Sequence, residues 1–384
     1  MKSGIDKIGF YTPSVFLDME TLAKQRGVAY EKYTQGLGVH KMAVCPQDQD
    51  IISMAANAAD SFLDDEDRRQ IDLVLFATES GLDYSKAAAT QLLDLLNLNP
   101  RTRCLEIKQA CYGVTGSIHL ALGHLALDSS AKVLILGSDI ARYGLESSGE
   151  PTQGAGAVAM TLCVNPQIMV IDPKSSVYSE NTYDFYRPNG HEFAKVDGHY
   201  SNEKYQSMFE TVFNDFLEQH QYALNDMDAL IFHIPYPKIG LKSLRRVADE
   251  DTYPHLYQSF FASVQYNKQI GNIYTGSLYL SLISLLEQAH LAATSRIGLY
   301  SYGSGSVAEF FSGTLVEGYQ AHLRREDHEA LLNQREALSI SAYEELFSFK
   351  TGNTLVLDPH PGQSTFTLKA IHDDQRAYEN HTKK

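Results

Sequence analysis

Residues 103–127, RCLEIKQACYGVTGSIHLALGHLAL, change from a strand-like to a helix-like pattern within a few positions. Residues 104–107 alternate as in a short β-strand, and the second half of the stretch is apolar on nearly every side. Such a pattern predicts a buried helix. Cys111 is therefore expected between the end of a strand and the start of a buried helix. Two residues of this helix are interpreted as core histidines: His119 and His124.

Cys111 has two possible roles at such a position. The free backbone N–H groups and the dipole of a helix N-terminus favour a thiolate and can donate to an oxyanion. The alternative is a packed structural cysteine, because free cysteine is among the most buried residue types. This stretch by itself leaves both interpretations open.

Composition restricts the class of protein. The 384 residues are 43% hydrophobic and 21% charged, which is typical of a folded globular chain. The net charge of -15, with only short basic clusters, argues against a nucleic-acid partner. We expect neither a signal peptide nor a membrane span, because the longest apolar run, residues 278–286, is interrupted by serines and a tyrosine. Four scattered cysteines without a C-x-x-C pair predict no metal site and a reduced, cytoplasmic protein.

Strand-like and helix-like segments alternate along the chain, which predicts an α/β architecture. The run IDLVLFA at residues 71–77 is typical of a strand buried on both faces. The acidic and basic residues of DDEDRR, residues 64–69, predict a solvated loop. The remaining segments are expected to be strands at 8–11, 42–44, 133–136 and 157–164, and helices at 51–62 and 85–96.

Three patterns recur in the same order in the second half of the chain. DLVLF at 72–76 resembles DALIF at 228–232, and a Thr-Gly-Ser turn opens an apolar helix at both 115–117 and 275–277. A glycine-bearing turn before a strand occurs at 154–156 and again at 303–305. The offsets are 156, 160 and 149 residues. We infer two related halves, residues 1–165 and 166–384; chance similarity among small-residue turns is the alternative.

The repeat predicts that four reactive side chains converge. Glu79 and His233 each follow the end of a matching strand, and Cys111 and Asn272 each precede a matching helix. Ligands of α/β sheets bind outside the carboxyl ends of strands, where helix N-termini also point. A carboxylate, a thiol, an imidazole and an amide suit acyl transfer with proton abstraction. Each also has a structural alternative, since Glu79 and Asn272 can cap turns or helices and His233 can be a core histidine.

Several motifs around these residues closely resemble hydroxymethylglutaryl-CoA synthase of the bacterial type. The match extends from the first strand to about residue 320. The resemblance implies a thiolase-like layered αβαβα fold built from two similar halves, usually in a homodimer. The motifs are FATES, ACYGVTGSI, ARYG, GEPTQGAGAVAM, YDFYRP, VDG, FHIPYPKIGLK, GNIYTGSLYLSL and SYGSGS.

The resemblance also implies a reaction and three catalytic roles. Cys111 matches the nucleophile that takes an acetyl group from acetyl-CoA. Glu79 matches the general acid/base that removes a methyl proton and then protonates the new alkoxide. His233 matches the residue that holds the ketone oxygen of acetoacetyl-CoA. The implied product is 3-hydroxy-3-methylglutaryl-CoA, in the mevalonate route to isoprenoids.

Eight further positions match substrate contacts of the family, and no cofactor is implied beyond the coenzyme A of the substrates. Asn272 and Ser304 match positions beside the cysteine, and Thr152 and Ser201 match contacts to the hydroxymethylglutaryl group. The remaining four match contacts to coenzyme A: Lys238, Lys242, Ala29 and Lys32. Lysines suit its phosphates, although a solvated helix face is the alternative for the basic residues between 238 and 246.

The chain departs from the family pattern at Gly113, where alanine is common, and at Ala29, where an acidic start is commoner. Two other classes remain open. A ketoacyl synthase of the same fold uses Cys, His and Asn, but it decarboxylates a malonyl donor and needs no carboxylate at Glu79. A non-catalytic acyl-CoA-binding homologue is the second rival. Residues 321–384 are expected to form a peripheral helix and final strands, without chemistry.

Overall fold

The computed structural model describes residues 2–359, 362 and 364–382 of the chain. Its strands are β1 (Ser3–Tyr11), β2 (Val15–Asp18), β3 (Lys41–Ala43), β4 (Ile71–Ala77), β5 (Arg103–Ile107), β6 (Lys132–Ala141), β7 (Gly154–Val164), β8 (Met169–Ile171), β9 (Ser176–Ser179), β10 (Phe185–Tyr186), β11 (Lys195–Val196), β12 (Ala229–Phe232), β13 (Arg296–Gly303), β14 (Val307–Leu315), β15 (Glu336–Ala337), β16 (Leu355–Val356), β17 (Phe366–His372) and β18 (Gln375–Asn380). Its α-helices are α1 (Met19–Gln25), α2 (Glu31–Thr34), α3 (Ile51–Asp60), α4 (Asp65–Gln70), α5 (Leu92–Leu95), α6 (Gly113–Leu127), α7 (Gly198–His220), α8 (Pro237–Val247), α9 (Pro254–Ser263), α10 (Asn267–Ile270), α11 (Ser277–Gln288), α12 (Arg325–Asn333) and α13 (Ile340–Ser348).

A ten-stranded mixed sheet connects the two parts of the chain in the order β12-β13-β14-β8-β1-β7-β6-β4-β5, with β9 added beside β14. In the first part, β4 pairs in parallel with β6, and β6 pairs antiparallel with β7. In the second part, β12 pairs in parallel with β13, and β13 pairs antiparallel with β14. The same parallel-then-antiparallel arrangement thus occurs twice, and β8 bridges the two occurrences by pairing with β1 and β14.

The first set of strands (β4, β6 and β7) is covered by a helix on each face. Successive strand residues point to opposite faces of the sheet, so the contacts of two consecutive residues of β6 show which helix covers each face. A Cβ on Gly137 would lie 2.5 Å from Val114 Cγ2 of α6. The next residue, Ser138, donates from its hydroxyl to the carbonyl of Ile51 in α3 at 2.7 Å. Helices α6 and α3 therefore cover opposite faces.

The second set of strands (β12, β13 and β14) is also covered by a helix on each face. The Ser301 hydroxyl of β13 accepts a hydrogen bond from Thr115 of α6 at 2.7 Å. The preceding residue, Tyr300, packs against Phe209 of α7 with ring centroids 5.0 Å apart. Helix α6 therefore contacts both sets of strands, and Tyr279 of α11 shares the Thr115 hydroxyl at 2.7 Å. With α3 and α7 outside and α6 and α11 in the middle, the predicted αβαβα layering is confirmed.

Residues 64–69 form most of helix α4, so the predicted solvated loop is wrong. The Asp64 side chain caps this helix by accepting from the Asp67 backbone N–H at 2.9 Å. Acidic residues occupy the first turn, and Arg68 and Arg69 occupy the last. Charges arranged in this order stabilise a helix through its dipole. The order of acidic and basic residues in this segment therefore stabilises a short helix rather than a loop.

The predicted helix at 85–96 is also wrong for most of its length. Only residues 92–95 form an α-helix, preceded by a 3₁₀ turn at 88–91. The Asp83 carboxylate accepts from the backbone of Ser85 at 2.7 Å, which turns the chain before any helix begins. The backbone N–H of Ala88 then donates to Glu106 at 2.8 Å, a residue of the neighbouring strand.

Helix α6 is buried on one side only, so its predicted complete burial is wrong. Leu120 is 51% exposed and Leu127 is 90% exposed. Neither histidine of α6 is an apolar core residue, because His119 Nε2 lies 2.6 Å from a Glu309 oxygen and His124 Nε2 lies 2.9 Å from Asp72. An all-round apolar pattern does not distinguish a buried helix from one with a second, exposed apolar face.

The last part of the chain forms peripheral elements as predicted, including α12, α13 and the small sheet β16-β17-β18. This sheet is held to α3, because the Asn57 side chain donates to the carbonyl of Phe366 at 2.9 Å and accepts from its N–H at 2.9 Å. Within the described residues, no helix is long and apolar enough to span a membrane. The same residues contain no group of three or more His, Cys, Asp or Glu side chains arranged to hold a metal ion.

At Gly137 the middle layer lies close to β6. A methyl group there would meet Val114 at 2.5 Å and Thr275 Oγ1 at 3.1 Å. We expect Gly137→Ala to lower the free energy of unfolding by about 1–3 kcal/mol, because an added methylene in a tight core forces neighbouring groups apart. Chemical denaturation measures this change. Gly198→Ala is the control, since nothing lies within 4 Å of its added methyl group; an equal loss in both variants would contradict the packing argument.

Candidate active site

Cys111 and Glu79 meet at the carboxyl end of the first set of strands. Cys111 lies between β5 and α6, after Ala110, whose backbone adopts a φ of 44°. Glu79 follows the end of β4 by two residues. The Cys111 thiol donates to Glu79 Oε1, with 3.0 Å between the sulfur and the oxygen. The structure thus brings together the thiol and the carboxylate that the repeat placed at one edge.

Burial sets the protonation of this pair. Desolvation and, secondarily, the charge of Asp139 raise the pKa of Glu79 to about 8, against the opposing effects of the Cys111 hydrogen bond and the Arg187 cation. Burial and the Glu79 charge raise the pKa of the Cys111 thiol well above its usual value. This direction is opposite to the one expected from the helix start alone. Glu79 is the group that accepts the hydrogen bond of the thiol.

Asp139 holds the Glu79 segment in place, and it was not identified from the sequence. Its Oδ1 accepts from the backbone N–H of Glu79 at 2.7 Å and from the Thr78 hydroxyl at 2.9 Å. Its Oδ2 accepts from the Thr275 hydroxyl at 2.6 Å. Burial raises the pKa of Asp139 to about 6. An aspartate inside the apolar strand KVLILGSDIA was the available signal, because a buried charge needs a specific reason.

His233 follows β12 and is almost completely buried. Its backbone is fixed on both sides, since its N–H donates to Tyr300 at 2.7 Å and its carbonyl accepts from the Tyr205 hydroxyl at 2.5 Å. Its ring Nδ1 has no hydrogen-bond partner among the described residues. Burial lowers the pKa of His233 to about 3, so the imidazole is neutral.

The Asn272 amide is fixed by three neighbours. Its Oδ1 accepts from the Tyr274 backbone at 2.8 Å and from the Ser277 hydroxyl at 2.9 Å. Its Nδ2 donates to the Tyr143 hydroxyl at 2.9 Å. The Tyr143 ring lies edge-on to the rings of Tyr274 and Phe185, each at 6.0 Å. These aromatic walls were not identified from the sequence, although Tyr143 and Phe185 lie within quoted motifs.

The turn at 303–305 presses against the cysteine segment, and Ser304 lies in it. A Cβ on Gly303 would lie 2.6 Å from the Gln109 carbonyl and 2.7 Å from the Tyr112 backbone nitrogen, so only glycine permits this approach. The Gln109 side chain donates to the Ser304 carbonyl at 3.4 Å. Ser304 is thus adjacent to the Cys111 segment.

Thr152 and Ser201 are each connected to the surroundings of Cys111 through one hydrogen bond. The Thr152 carbonyl accepts from the Asn272 backbone N–H at 3.3 Å. The Ser201 hydroxyl donates to Asp184 at 3.2 Å. Asp184 also accepts from the Gly305 backbone at 3.0 Å, so it connects Ser201 to the Ser304 turn. Asp184 was quoted within a motif but was not identified as a functional residue.

The remaining predicted contacts lie in two neighbouring places. Lys32 lines a cavity of about 730 Å³ together with Arg26 and residues 146–148. Lys242, on α8, lines a separate cavity of about 260 Å³. Lys238 lies at the start of α8, and its backbone N–H donates to Leu37 at 3.0 Å, which brings α8 beside the segment that contains Ala29 and Lys32. The four positions therefore border one side of the molecule without meeting in one cavity.

Comparison with known proteins identifies relatives along the whole chain. The family model described as hydroxymethylglutaryl-coenzyme A synthase N terminal matches residues 1–167, and the C-terminal model of that name matches 169–260 and 252–369. A hydroxymethylglutaryl-CoA synthase from Enterococcus faecalis is 46% identical over 384 residues, covering 99% of this chain and 100% of the relative.

Solved structures agree with the sequence relatives. A crystal structure of an HMG-CoA synthase complexed with CoA matches with a TM-score of 0.96 at 38% identity, covering 99% of this chain and 100% of that one. A structure of MvaS in complex with 3-hydroxy-3-methylglutaryl coenzyme A matches with a TM-score of 0.90 at 33% identity, covering 99% of both chains. The thiolase-like fold is confirmed.

The contact between Cys111 and Glu79 predicts how the thiol will react. In Glu79→Gln the negative charge that raises the thiol pKa is gone, so more thiolate forms at a given pH. We expect Cys111 to react with iodoacetamide several-fold faster at pH 8 than in the wild type. Mass spectrometry of the Cys111 peptide separates its labelling from that of the other three cysteines. Glu66→Gln, a change on the exposed helix α4, serves as the control, and slower labelling of Glu79→Gln would contradict the electrostatic assignment.

Proposed function

The chain belongs to the hydroxymethylglutaryl-CoA synthase family, and from this premise we propose that its Cys111 carries the acetyl group of the reaction. The enzyme is an acyltransferase that forms a carbon–carbon bond and uses no cofactor beyond the coenzyme A of its substrates. In the proposed reaction, acetyl-CoA, acetoacetyl-CoA and water give 3-hydroxy-3-methylglutaryl-CoA and free CoA. The observation that carries the assignment is the 3.0 Å contact between the Cys111 sulfur and Glu79.

The first step is transfer of acetyl to Cys111. The Cys111 sulfur attacks the carbonyl carbon of acetyl-CoA, the carbon–sulfur bond to CoA breaks, and the thiol proton is released to the leaving group. CoA leaves as a thiolate and takes up a proton. The backbone N–H groups of Cys111, before α6, and of Ser304, in the turn that presses against it, are the proposed donors to the oxyanion.

The second step forms the carbon–carbon bond. Glu79 removes a proton from the methyl group of acetyl-Cys111, and the resulting carbanion attacks the ketone carbon of acetoacetyl-CoA. The ketone oxygen becomes an alkoxide and receives a proton from Glu79. A pKa near 8 suits a group that must first accept and then donate a proton at neutral pH. Water then hydrolyses the thioester and frees Cys111.

His233 and Asn272 supply the neutral polar groups of this step. A neutral imidazole with an unpartnered ring nitrogen can donate to the ketone oxygen without adding charge to the pocket. The Asn272 amide is held with its NH₂ group toward Tyr143, beside the acyl position. Ser304, Thr152 and Ser201 border the acyl group in this proposal. Lys238, Lys242, Ala29 and Lys32 contact the coenzyme A portion, where the lysines neutralise phosphates.

We further infer that residues 1–165 and 166–384 are the two similar halves of the enzyme. The repeated pairing of β4-β6-β7 and β12-β13-β14 supports this division. A cytoplasmic location is supported by the four cysteines, all of which are free thiols. The expected place of the reaction is the mevalonate route to isoprenoids.

Incubation with acetyl-CoA alone tests the proposed nucleophile. We expect the intact mass of the protein to increase by one acetyl group, located on the Cys111 peptide, because the first step needs no second substrate. Cys111→Ser should show no such adduct. An adduct that persists in Cys111→Ser, or none in the wild type, would refute the mechanism.

Glu79→Gln separates the two steps in the same experiment. We expect the variant to form the acetyl adduct but to consume acetoacetyl-CoA at least about 100-fold more slowly than the wild type, since loss of a general base typically costs 10²–10⁴-fold. Condensation at a near wild-type rate would exclude Glu79 as the base. Replacing acetyl-CoA by a malonyl donor tests the ketoacyl synthase alternative, which predicts activity with malonyl and release of CO₂.

We also propose a homodimer that forms at the β5 end of the sheet. Strand β5 is the terminal strand, and such an edge presents unpaired backbone groups. Four large apolar side chains near it are exposed. They lie on the loop after Glu79, on β5 itself and on the helix that follows: Tyr84 at 88%, Leu105 at 51%, Leu120 at 51% and Leu127 at 90%. A second copy of the chain would cover this edge and these side chains together.

Charge at this edge should dissociate the dimer. We expect Leu120→Glu to sediment as a monomer at micromolar concentration, because covering a carboxylate in an apolar interface is unfavourable. Val356→Glu introduces the same charge at an exposed valine of β16, away from β5, and should leave the dimer intact. Sedimentation velocity compares the two variants with the wild type. A dimeric Leu120→Glu protein would locate the interface elsewhere.

A further inference from the structure

Glu150 carries a carboxylate that is almost completely buried and that accepts four hydrogen bonds. The Arg26 guanidinium binds both of its oxygens, with Nε at 3.0 Å from Oε2 and Nη2 at 2.8 Å from Oε1. The Glu146 backbone donates to Oε2 at 3.0 Å. The Tyr343 hydroxyl donates to Oε1 at 3.1 Å. A bidentate arginine compensates the buried charge, and all partners together fix its geometry.

Tyr343 connects this carboxylate to the turn that carries Thr152. Tyr343 lies on α13 and is 1% exposed. Its hydroxyl oxygen accepts from the Gln153 side chain at 2.9 Å while its proton is directed to Glu150. The Gln153 side-chain oxygen in turn accepts from the backbone N–H of Tyr143 at 2.8 Å. The amide orientation of Gln153 is thus determined by one donor and one acceptor.

The same series of contacts ends at the reacting groups. The Tyr143 hydroxyl accepts from the Asn272 amide at 2.9 Å, and the Asn272 backbone donates to the Thr152 carbonyl at 3.3 Å. Its other end is the 730 Å³ cavity, which Arg26 and Glu150 line. Tyr343 of the peripheral helix α13 therefore contacts both a residue that supports the acyl site and a residue that lines the cavity.

We propose that Tyr343, with Glu150 and Gln153, is a positioning group for Asn272 in the condensation step. The proposal rests on the proposed function. Tyr343 does not reach the reacting atoms; it fixes Gln153, which fixes the backbone of Tyr143, which holds the Asn272 amide. Displacement of a positioned group by about 1 Å can cost on the order of 100-fold in rate, so a distant hydroxyl can control kcat. In this proposal, residues 321–384 contribute one positioning residue to the site.

Tyr343→Phe removes only the hydroxyl and leaves the ring. Gln153 then loses its acceptor and Glu150 loses one donor, while the Arg26 pair keeps the carboxylate compensated. We expect kcat for condensation to fall about tenfold or more. The KM values for both thioesters should stay within about twofold, since the lost interaction positions groups in the transition state rather than binding substrate. Acetyl adduct formation on Cys111 should change less than kcat.

Tyr319→Phe is the matched control, because Tyr319 is also buried and its hydroxyl donates to a backbone carbonyl, that of Leu291, at 3.1 Å. It should lower Tm about as much as Tyr343→Phe without changing kcat. An unchanged kcat in Tyr343→Phe, or an equal loss in Tyr319→Phe, would overturn the proposal.

Gln153→Met gives an independent measurement at the next position of the series. This variant should show the same fall in kcat. The double variant with Tyr343→Phe should be no slower than either single variant, because both changes break the same series of hydrogen bonds to Asn272. If the fold losses in kcat of the two single variants multiply in the double variant, Tyr343 and Gln153 act independently and the proposal is wrong. Loss of the acetyl adduct in the wild type would refute the proposed function itself, whereas an active wild type with a normal Tyr343→Phe refutes only the positioning role.

Discussion

The arrangement of the site depends on one buried carboxylate, Asp139. It lies inside an apolar strand and accepts from the Glu79 backbone on one oxygen and from Thr275 on the other. An uncompensated buried charge would cost several kcal/mol, so its donors are obligatory partners. Each donor belongs to a different part of the chain, one after β4 and one before α11. The carboxylate therefore fixes the distance between the segment that presents Glu79 and the turn that presents Asn272.

Burial then decides how the reactive groups behave. Desolvation raises the pKa of Glu79 to about 8 and that of the Cys111 thiol well above its usual value, and it lowers the pKa of His233 to about 3. A carboxyl group that titrates near neutral pH can act as a base in one step and as an acid in the next. Arg187 is a cation near Glu79 that donates a hydrogen bond to the Glu79 carbonyl, and it keeps the pKa of Glu79 from rising further.

The α/β architecture and the meeting of Cys111 with Glu79 were predicted from regular patterns in the sequence, whereas the layered fold was implied by the family resemblance. Buried strands, apolar helices and a repeat are local signals, and equivalent positions of a repeat lie at one sheet edge. The sequence did not predict Asp139, Tyr143 or Tyr343, whose roles arise from contacts between residues far apart in the chain. It also could not tell that α6 has an exposed face, because burial on a second side depends on what packs there. The roles assigned to the site residues remain predictions of the resemblance.

His233 shows how stability and activity are balanced in this fold. A buried polar atom without a partner costs about 1–3 kcal/mol, and its ring Nδ1 has no partner among the described residues. Packing elsewhere offsets this cost, since β12 and β13 hold the His233 backbone from one side and Tyr205 holds it from the other. In the proposed reaction, the ketone oxygen of acetoacetyl-CoA would give the ring a partner and recover part of the lost hydrogen-bond energy. Because the backbone around His233 is held on both sides, the position of the ring is fixed before any ligand binds.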